Sequence, residues 1–128
     1  MSYAISKGIR IYYETHGSGP TVVFVHGAGG NHAIWWQQIA TFRANYRVIA
    51  IDLRGFGSSD WVTDGPDVLD FPDDIRAVLL HTDVHEGVLV GQSLGAPAVL
   101  RCGIKNPRFV KGIVLTNSVC GTHSARQG

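Results

Sequence analysis

The chain has 128 residues, of which 45% are hydrophobic and 16% charged, and a net charge of +1. That is the composition of one globular domain with a real core; it excludes a disordered chain and offers no basic stripe for nucleic acid or an anionic membrane. No apolar stretch approaches the roughly 20 residues of a bilayer span, and residues 1–10 lack a signal-peptide core, so a soluble cytoplasmic protein is expected.

Tyr3–Ile5 and Ile9–Glu14 are β-rich and flank Lys7-Gly8, which predicts an N-terminal hairpin. Gly17-Ser18-Gly19-Pro20 is a turn, and Thr21–His26 (TVVFVH) reads as a buried strand. A glycine-rich loop, Gly27–Gly30, follows. Asn31 is placed to cap a helix running to about Ala44, with Trp35, Ile39 and Phe42 on one face. Arg47–Ile51 (RVIAI) is another buried strand, and Asp52–Pro66 is a long loop containing glycine and aspartate. Asp70 is expected to cap a helix from about Phe71 to His81, with Pro72 in its first turn and Ile75, Val78 and Leu79 inside. Gly87–Gln92 is a strand, Leu94–Lys105 a helix stopped by Asn106-Pro107, and Val110–Thr116 a last strand. No internal repeat or linker interrupts this order.

A hairpin followed by strands alternating with helices implies one α/β domain over residues 1–128, a three-layer sandwich with a mostly parallel sheet. In such sheets, sites form beyond the C-terminal ends of the strands. Three loops of unusual chemistry start there: His26-Gly27, Asp52, and Gln92-Ser93. The segment Gly91-Gln92-Ser93-Leu94-Gly95 is the most informative. Gly-x-Ser-x-Gly alone is weak in a chain with 16 glycines, but here an apolar strand runs into it and a helical pattern leaves it. That context puts the Ser93 hydroxyl on a tight turn at a helix N-terminus, where a nucleophile works.

Three motifs in this order resemble the α/β-hydrolase superfamily, and most of all its single-domain esterase, lactonase and C–C hydrolase branch. They are His26-Gly27-Ala28-Gly29-Gly30, Asp52-Leu53-Arg54-Gly55-Phe56-Gly57-Ser58-Ser59, and Gly91-Gln92-Ser93-Leu94-Gly95; the resemblance runs from about Ile9 to Asn117. It implies Ser93 as nucleophile and the backbone N–H groups of Ala28 and Leu94 as oxyanion hole. It implies acyl transfer to water on an ester, lactone or similar carbonyl substrate, with no cofactor. Serine rather than aspartate at the elbow argues against the haloalkane dehalogenase and epoxide hydrolase branches. The family's lid, two further strands, triad acid and triad histidine have no counterpart here. The chain is therefore expected to be the N-terminal part of a hydrolase core. The Val110–Thr116 strand would form an exposed sheet edge, completed by a further chain segment, a partner chain or self-association.

Other residues admit blander readings. His26 reads as a structural residue of the oxyanion loop, with Gly27 and Gln92 beside it as pocket candidates. Asn117 and Ser118 occupy the place of a triad acid in some branches, and neither ionises; His123 is a weak surrogate base. Asp52 and Arg54 are expected to form a buried, loop-bracing ion pair. Trp35, Trp36 and Trp61 are candidates to line a pocket, of which Trp35 reads as core on helical spacing and Trp61, in the long loop, as a pocket or lid contact. Cys102 and Cys120 are expected to be free thiols, and the six histidines show no zinc spacing, so no metal site is expected. Two rivals stand beside the hydrolase: a non-catalytic remnant that binds a small ligand or partner chain, and a cofactor-free perhydrolase or haloperoxidase-like enzyme.

Overall fold

The computed structural model describes residues 2–117. Six strands form one sheet in the order β1-β2-β4-β3-β5-β6. β1 (Ser2–Ser6) and β2 (Ile9–His16) are the hairpin, turned at Lys7-Gly8 with positive φ at both residues. β2 joins β4 (Arg47–Ile51) antiparallel, whereas β3 (Thr21–Val25), β4, β5 (Gly87–Gln92) and β6 (Val110–Thr116) run parallel.

Alternation along the strands sorts the core into two layers. Val23, Val25, Ile49, Ile51 and Leu89 face α2 (Phe71–His81) and α3 (Gly95–Lys105), meeting Phe71, Ile75, Val78, Leu79, Ala98, Val99 and Cys102. Phe24, Val48 and Ala50 face the other way and meet Trp35 and Ile39. Because these strands are apolar on both faces, they suit only the middle of a sandwich. Cys102 is free and buried, and burial pushes its thiol up to about 11, so it behaves as a small apolar residue.

Several local expectations need correction. The segment after Asn31 is not one helix to Ala44. A 3-10 turn (His32–Trp35), capped by the Asn31 side chain on the Ala33 N–H at 2.8 Å, leads into the short α1 (Trp36–Phe42). Trp35 and Ile39 are buried as expected, but Phe42 is exposed at the helix end. Asp70 makes no side-chain cap to α2; Asp67 caps a preceding 3-10 turn (Val68–Asp70) through the Leu69 N–H, and Asp70 pairs with Lys7 instead.

Among the described residues β6 is an edge, and the sheet is unevenly covered. On the α1 side, Val22, Phe24, Val88, Val90, Val114 and Thr116 line an open apolar groove of about 430 Å³. Val114 and Leu115 are exposed on opposite sides of the edge strand. No helix among the described residues is long and apolar enough to cross a membrane.

Candidate active site

The turn between β5 and α3 carries Ser93 at φ +52°, a left-handed conformation uncommon for a non-glycine residue and held here by its surroundings. Those surroundings explain both flanking glycines. A Cβ on Gly91 would meet the Gly95 carbonyl oxygen at 2.5 Å, and one on Gly95 would meet the Val25 and His26 carbonyls at 2.5 and 2.7 Å. The strand and helix thus approach closely only because neither glycine has a side chain, and the turn between them is tight enough to push Ser93 outward. Its side chain is exposed. The Ser93 N–H donates to Thr116 O at 3.0 Å, which ties the elbow to the end of β6.

The loop after β3 packs directly on this elbow. A Cβ on Gly27 would sit 3.0 Å from the Ser93 Cβ, 3.1 Å from Gln92 O and 3.6 Å from the Ser93 Oγ. The sequence motifs at Gly27 and Ser93 are therefore in contact. Ala28 follows Gly27, is exposed, and its N–H donates to none of the described residues; the same holds for the Leu94 N–H. Two unspent backbone donors thus flank the elbow, one on the residue after the serine and one in the abutting loop. The turn is closed by Gly30 N–H donating to Gly27 O at 3.1 Å.

His26 is wholly buried, and both its ring nitrogens are committed. Nδ1 lies 2.7 Å from Gly27 O and Nε2 accepts the Leu53 N–H at 3.0 Å. A carbonyl only accepts and an amide N–H only donates, so the ring is the neutral tautomer with its proton on Nδ1. Burial holds its pKa below the usual histidine value. With Phe56 packed edge-on at 5.3 Å, His26 is a brace between two loops and has no free nitrogen for a proton transfer.

Asp52 and Arg54 are both buried but do not pair with each other. Arg54 makes a bidentate pair with Asp74, at 2.8 and 2.7 Å, and reaches Asp70 at 3.4 Å, fastening the loop to α2. Asp52 accepts from the His32 N–H at 2.6 Å and the Ser58 N–H at 2.8 Å, and its Oδ1 lies 2.8 Å from His32 Nδ1. Gly57, at φ +53°, lies so close under the Asp52 carboxylate that a Cβ there would collide with it. The partners at residues 32 and 74 are 20 positions away from Asp52 and Arg54. No short-range spacing signals them, which is why the sequence named neither His32 nor Asp74 as a partner.

No described residue hydrogen-bonds the Ser93 Oγ. His16 and His32 pair with Glu14, His81 bonds the Tyr13 hydroxyl, and His85 is exposed just before the start of β5. A strand of that length puts His85 about 20 Å from the elbow. Ser118, Cys120 and His123 lie outside the described residues. Trp61 is 71% exposed in the long loop, and Trp36 is also exposed. Among the described residues no three histidine, cysteine or carboxylate side chains gather as a metal site.

A family model described as the alpha/beta hydrolase fold matches residues 20–126. The chain belongs to this family. Among α/β-hydrolase relatives, it is 40% identical over 95 residues to non-heme chloroperoxidase CPO-A1 of Kitasatospora aureofaciens, covering 73% of this chain and 34% of that one. It is 31% identical over 120 residues to epoxide hydrolase 3 of Mus musculus, covering 88% and 32%. A solved α/β-hydrolase neighbour, Est816, an N-acyl homoserine lactone degrading enzyme, superposes with a TM-score of 0.87 at 33% identity, covering 91% of this chain and 45% of that one. The chain thus spans about a third of the length of the curated relatives it matches.

Proposed function

We propose that this chain carries the nucleophile half of a serine hydrolase, with Ser93 attacking an ester, lactone or similar carbonyl carbon. The observation that carries this reading is the left-handed conformation of Ser93 on an elbow between two close-packed glycines, with the serine exposed to solvent. The Oγ forms a bond to the carbonyl carbon as its proton passes to a base, and the carbonyl oxygen takes up negative charge. The N–H groups of Ala28 and Leu94 stabilise that oxyanion, a contribution of about 100- to 1000-fold per donor in comparable sites. Collapse expels the leaving group with a proton, and water then releases the acyl group from Ser93. His26, Gly27 and Gln92 shape the floor of this site and Trp61 its rim. No metal or organic cofactor takes part.

A base must take the Ser93 proton, and none of the described histidines is placed for it. In this reading the base and its acid come from chain outside the described residues or from a partner that pairs along β6 and covers the groove beside it. Self-association would serve the same edge, and a cytoplasmic setting suits the composition. The similarity to epoxide hydrolases is compatible with the shared fold, whereas a serine at the elbow favours an acyl-enzyme over the alkyl-enzyme that a carboxylate would form.

A second reading draws on the chloroperoxidase relative: the same acyl-enzyme, with peroxide competing for it against water. An activated aryl ester separates these readings. A burst of phenolate with the acyl mass on the Ser93 peptide supports the hydrolase, and peracid formed in proportion to added peroxide supports the second. No acylation of the folded chain, alone or with its complementing segment, leaves a ligand-binding remnant of the fold.

A further inference from the structure

The reaction above spends the amides of Ala28 and Leu94 but not that of Ser93, which donates to Thr116 O at 3.0 Å. Strand register explains the bond. β5 and β6 run parallel, with Val90 opposite Val114 and Gln92 opposite Thr116. In a parallel ladder a residue bonds the two neighbours of its opposite number, and backbone direction alternates along the strand. Val114 and Thr116 therefore turn their N–H and C=O groups towards β5, whereas Ile113 and Leu115 turn theirs to the open edge. Ser93 follows Gln92, so its N–H is the last rung of this ladder.

The rung joins two left-handed residues. Ser93 sits at φ +52°, and Asn117, which follows Thr116, at φ +49°. Asparagine tolerates that region better than serine does, and β6 ends there. The other ties of Ser93 act from elsewhere. Gly27, in the loop after β3, packs on its Cβ, and its carbonyl accepts the Ala96 N–H at 3.0 Å. With strands in the order β3-β5-β6, the elbow stands between the loop that carries Ala28 on one side and Thr116 on the other. Because its own N–H is spent on Thr116, Ser93 adds no third donor to the oxyanion. The Thr116 tie is the more easily loosened. Among the described residues β6 pairs on one side only, and Val114 and Leu115 just before Thr116 are 47% and 40% exposed.

We infer that Thr116 is a positioning residue: through its backbone carbonyl it holds Ser93 in the left-handed turn at the N-terminus of α3, so the end of β6 sets the reactivity of Ser93. The inference rests on the reading of Ser93 as nucleophile, but the tie can be measured without it. A thiol at a helix N-terminus titrates below its usual value of about 8.5, so the Ser93→Cys thiol of the full chain reports how residue 93 faces α3 and needs no external base. Its titration is read from the pH dependence of iodoacetamide alkylation on its own peptide. Amide exchange at Ser93 is followed by NMR in the chain that keeps the serine, with Val90, which bonds β3, as reference. Thr116→Gly loosens the strand end, whereas Thr116→Val keeps a β-branched backbone without the hydroxyl. Asn117→Val, at an exposed position, disfavours the left-handed residue on the other side of the bond. The expected result is a Ser93 amide that is protected in the wild type and exchanges at least about fivefold faster in Thr116→Gly and Asn117→Val, with Val90 unchanged. Made beside Ser93→Cys, the same two substitutions should move the thiol titration up towards its usual value, and Thr116→Val should match its parent in both measurements. A Ser93 amide that exchanges freely in the wild type would overturn the inference. So would faster exchange with no change in the thiol titration, and so would an equal effect of Thr116→Val, which would place it in the side chain. A wild-type Ser93 that never takes up a fluorophosphonate would instead sink the nucleophile reading and leave the exchange and the thiol titration as they are.

Discussion

His26 Nε2 accepts the backbone N–H of Leu53 at 3.0 Å, and this bond joins the loop after β3 to the loop after β4. The ring is wholly buried and neutral, so it sets loop geometry and takes no part in proton transfer. His26→Asn shortens the side chain and strands the Leu53 N–H. The expected cost is about 1–3 kcal/mol in urea denaturation.

The same ring predicts a pH dependence. Burial lowers the His26 pKa from 6.5, so the unfolded chain binds a proton there that the folded chain refuses. Its contribution to stability is complete above about pH 6.5 and is lost as pH falls through the folded value. Denaturation midpoints across this range should drop for the wild type and flatten in His26→Asn. Equal slopes in the two proteins would show that the ring titrates alike in both states.

Two glycines at the elbow should respond differently to an added methyl group. Gly95→Ala drives a Cβ onto the carbonyl oxygens of Val25 and His26, which are backbone and cannot move aside. Loss of about 3 kcal/mol or more, or failure to fold, is expected. Gly27→Ala meets the Ser93 side chain at 3.0 Å and asks for a displacement of tenths of an ångström. That variant should stay folded by circular dichroism, cost about 1–2 kcal/mol, and react more slowly at Ser93.

Arg54 and Asp74 form a buried bidentate pair, with Asp74 wholly inaccessible. Arg54→Met leaves that carboxylate alone in the interior, and a loss of about 3–5 kcal/mol is expected. Arg54→Met combined with Asp74→Leu should recover most of it. A double-mutant cycle in denaturant measures the coupling, and additive losses would contradict the pairing.

The fold was legible because its signals are local. β3, β4 and β5 are apolar runs whose alternate residues face different helices, and turn residues mark their ends. Gly91, Ser93 and Gly95 announced the elbow because a strand–turn–helix crossing forces those residue types within five positions. The polar braces were not legible, because their partners are brought together only by the folded sheet. Glu14, His32 and Asp52 sit on β2, on a 3-10 turn and after β4, and nothing in their spacing hints at contact. Proximity in sequence suggested that Asp52 pairs with Arg54, whereas each reaches a partner 20 residues away. The Asp67 cap was hidden for a related reason: Asp67 and Asp70 both precede an apolar run, and only the extra 3-10 turn separates their roles.

We propose Ser93 as a nucleophile awaiting a base. Intact-mass measurement after incubation with a fluorophosphonate probe, on wild type and Ser93→Ala side by side, addresses it most directly. A single adduct on wild type and none on Ser93→Ala is expected, in the chain alone if a base reaches the elbow and otherwise once the complementing segment is supplied. A folded, complemented wild-type chain that takes up no probe, or an adduct that persists in Ser93→Ala, would contradict it.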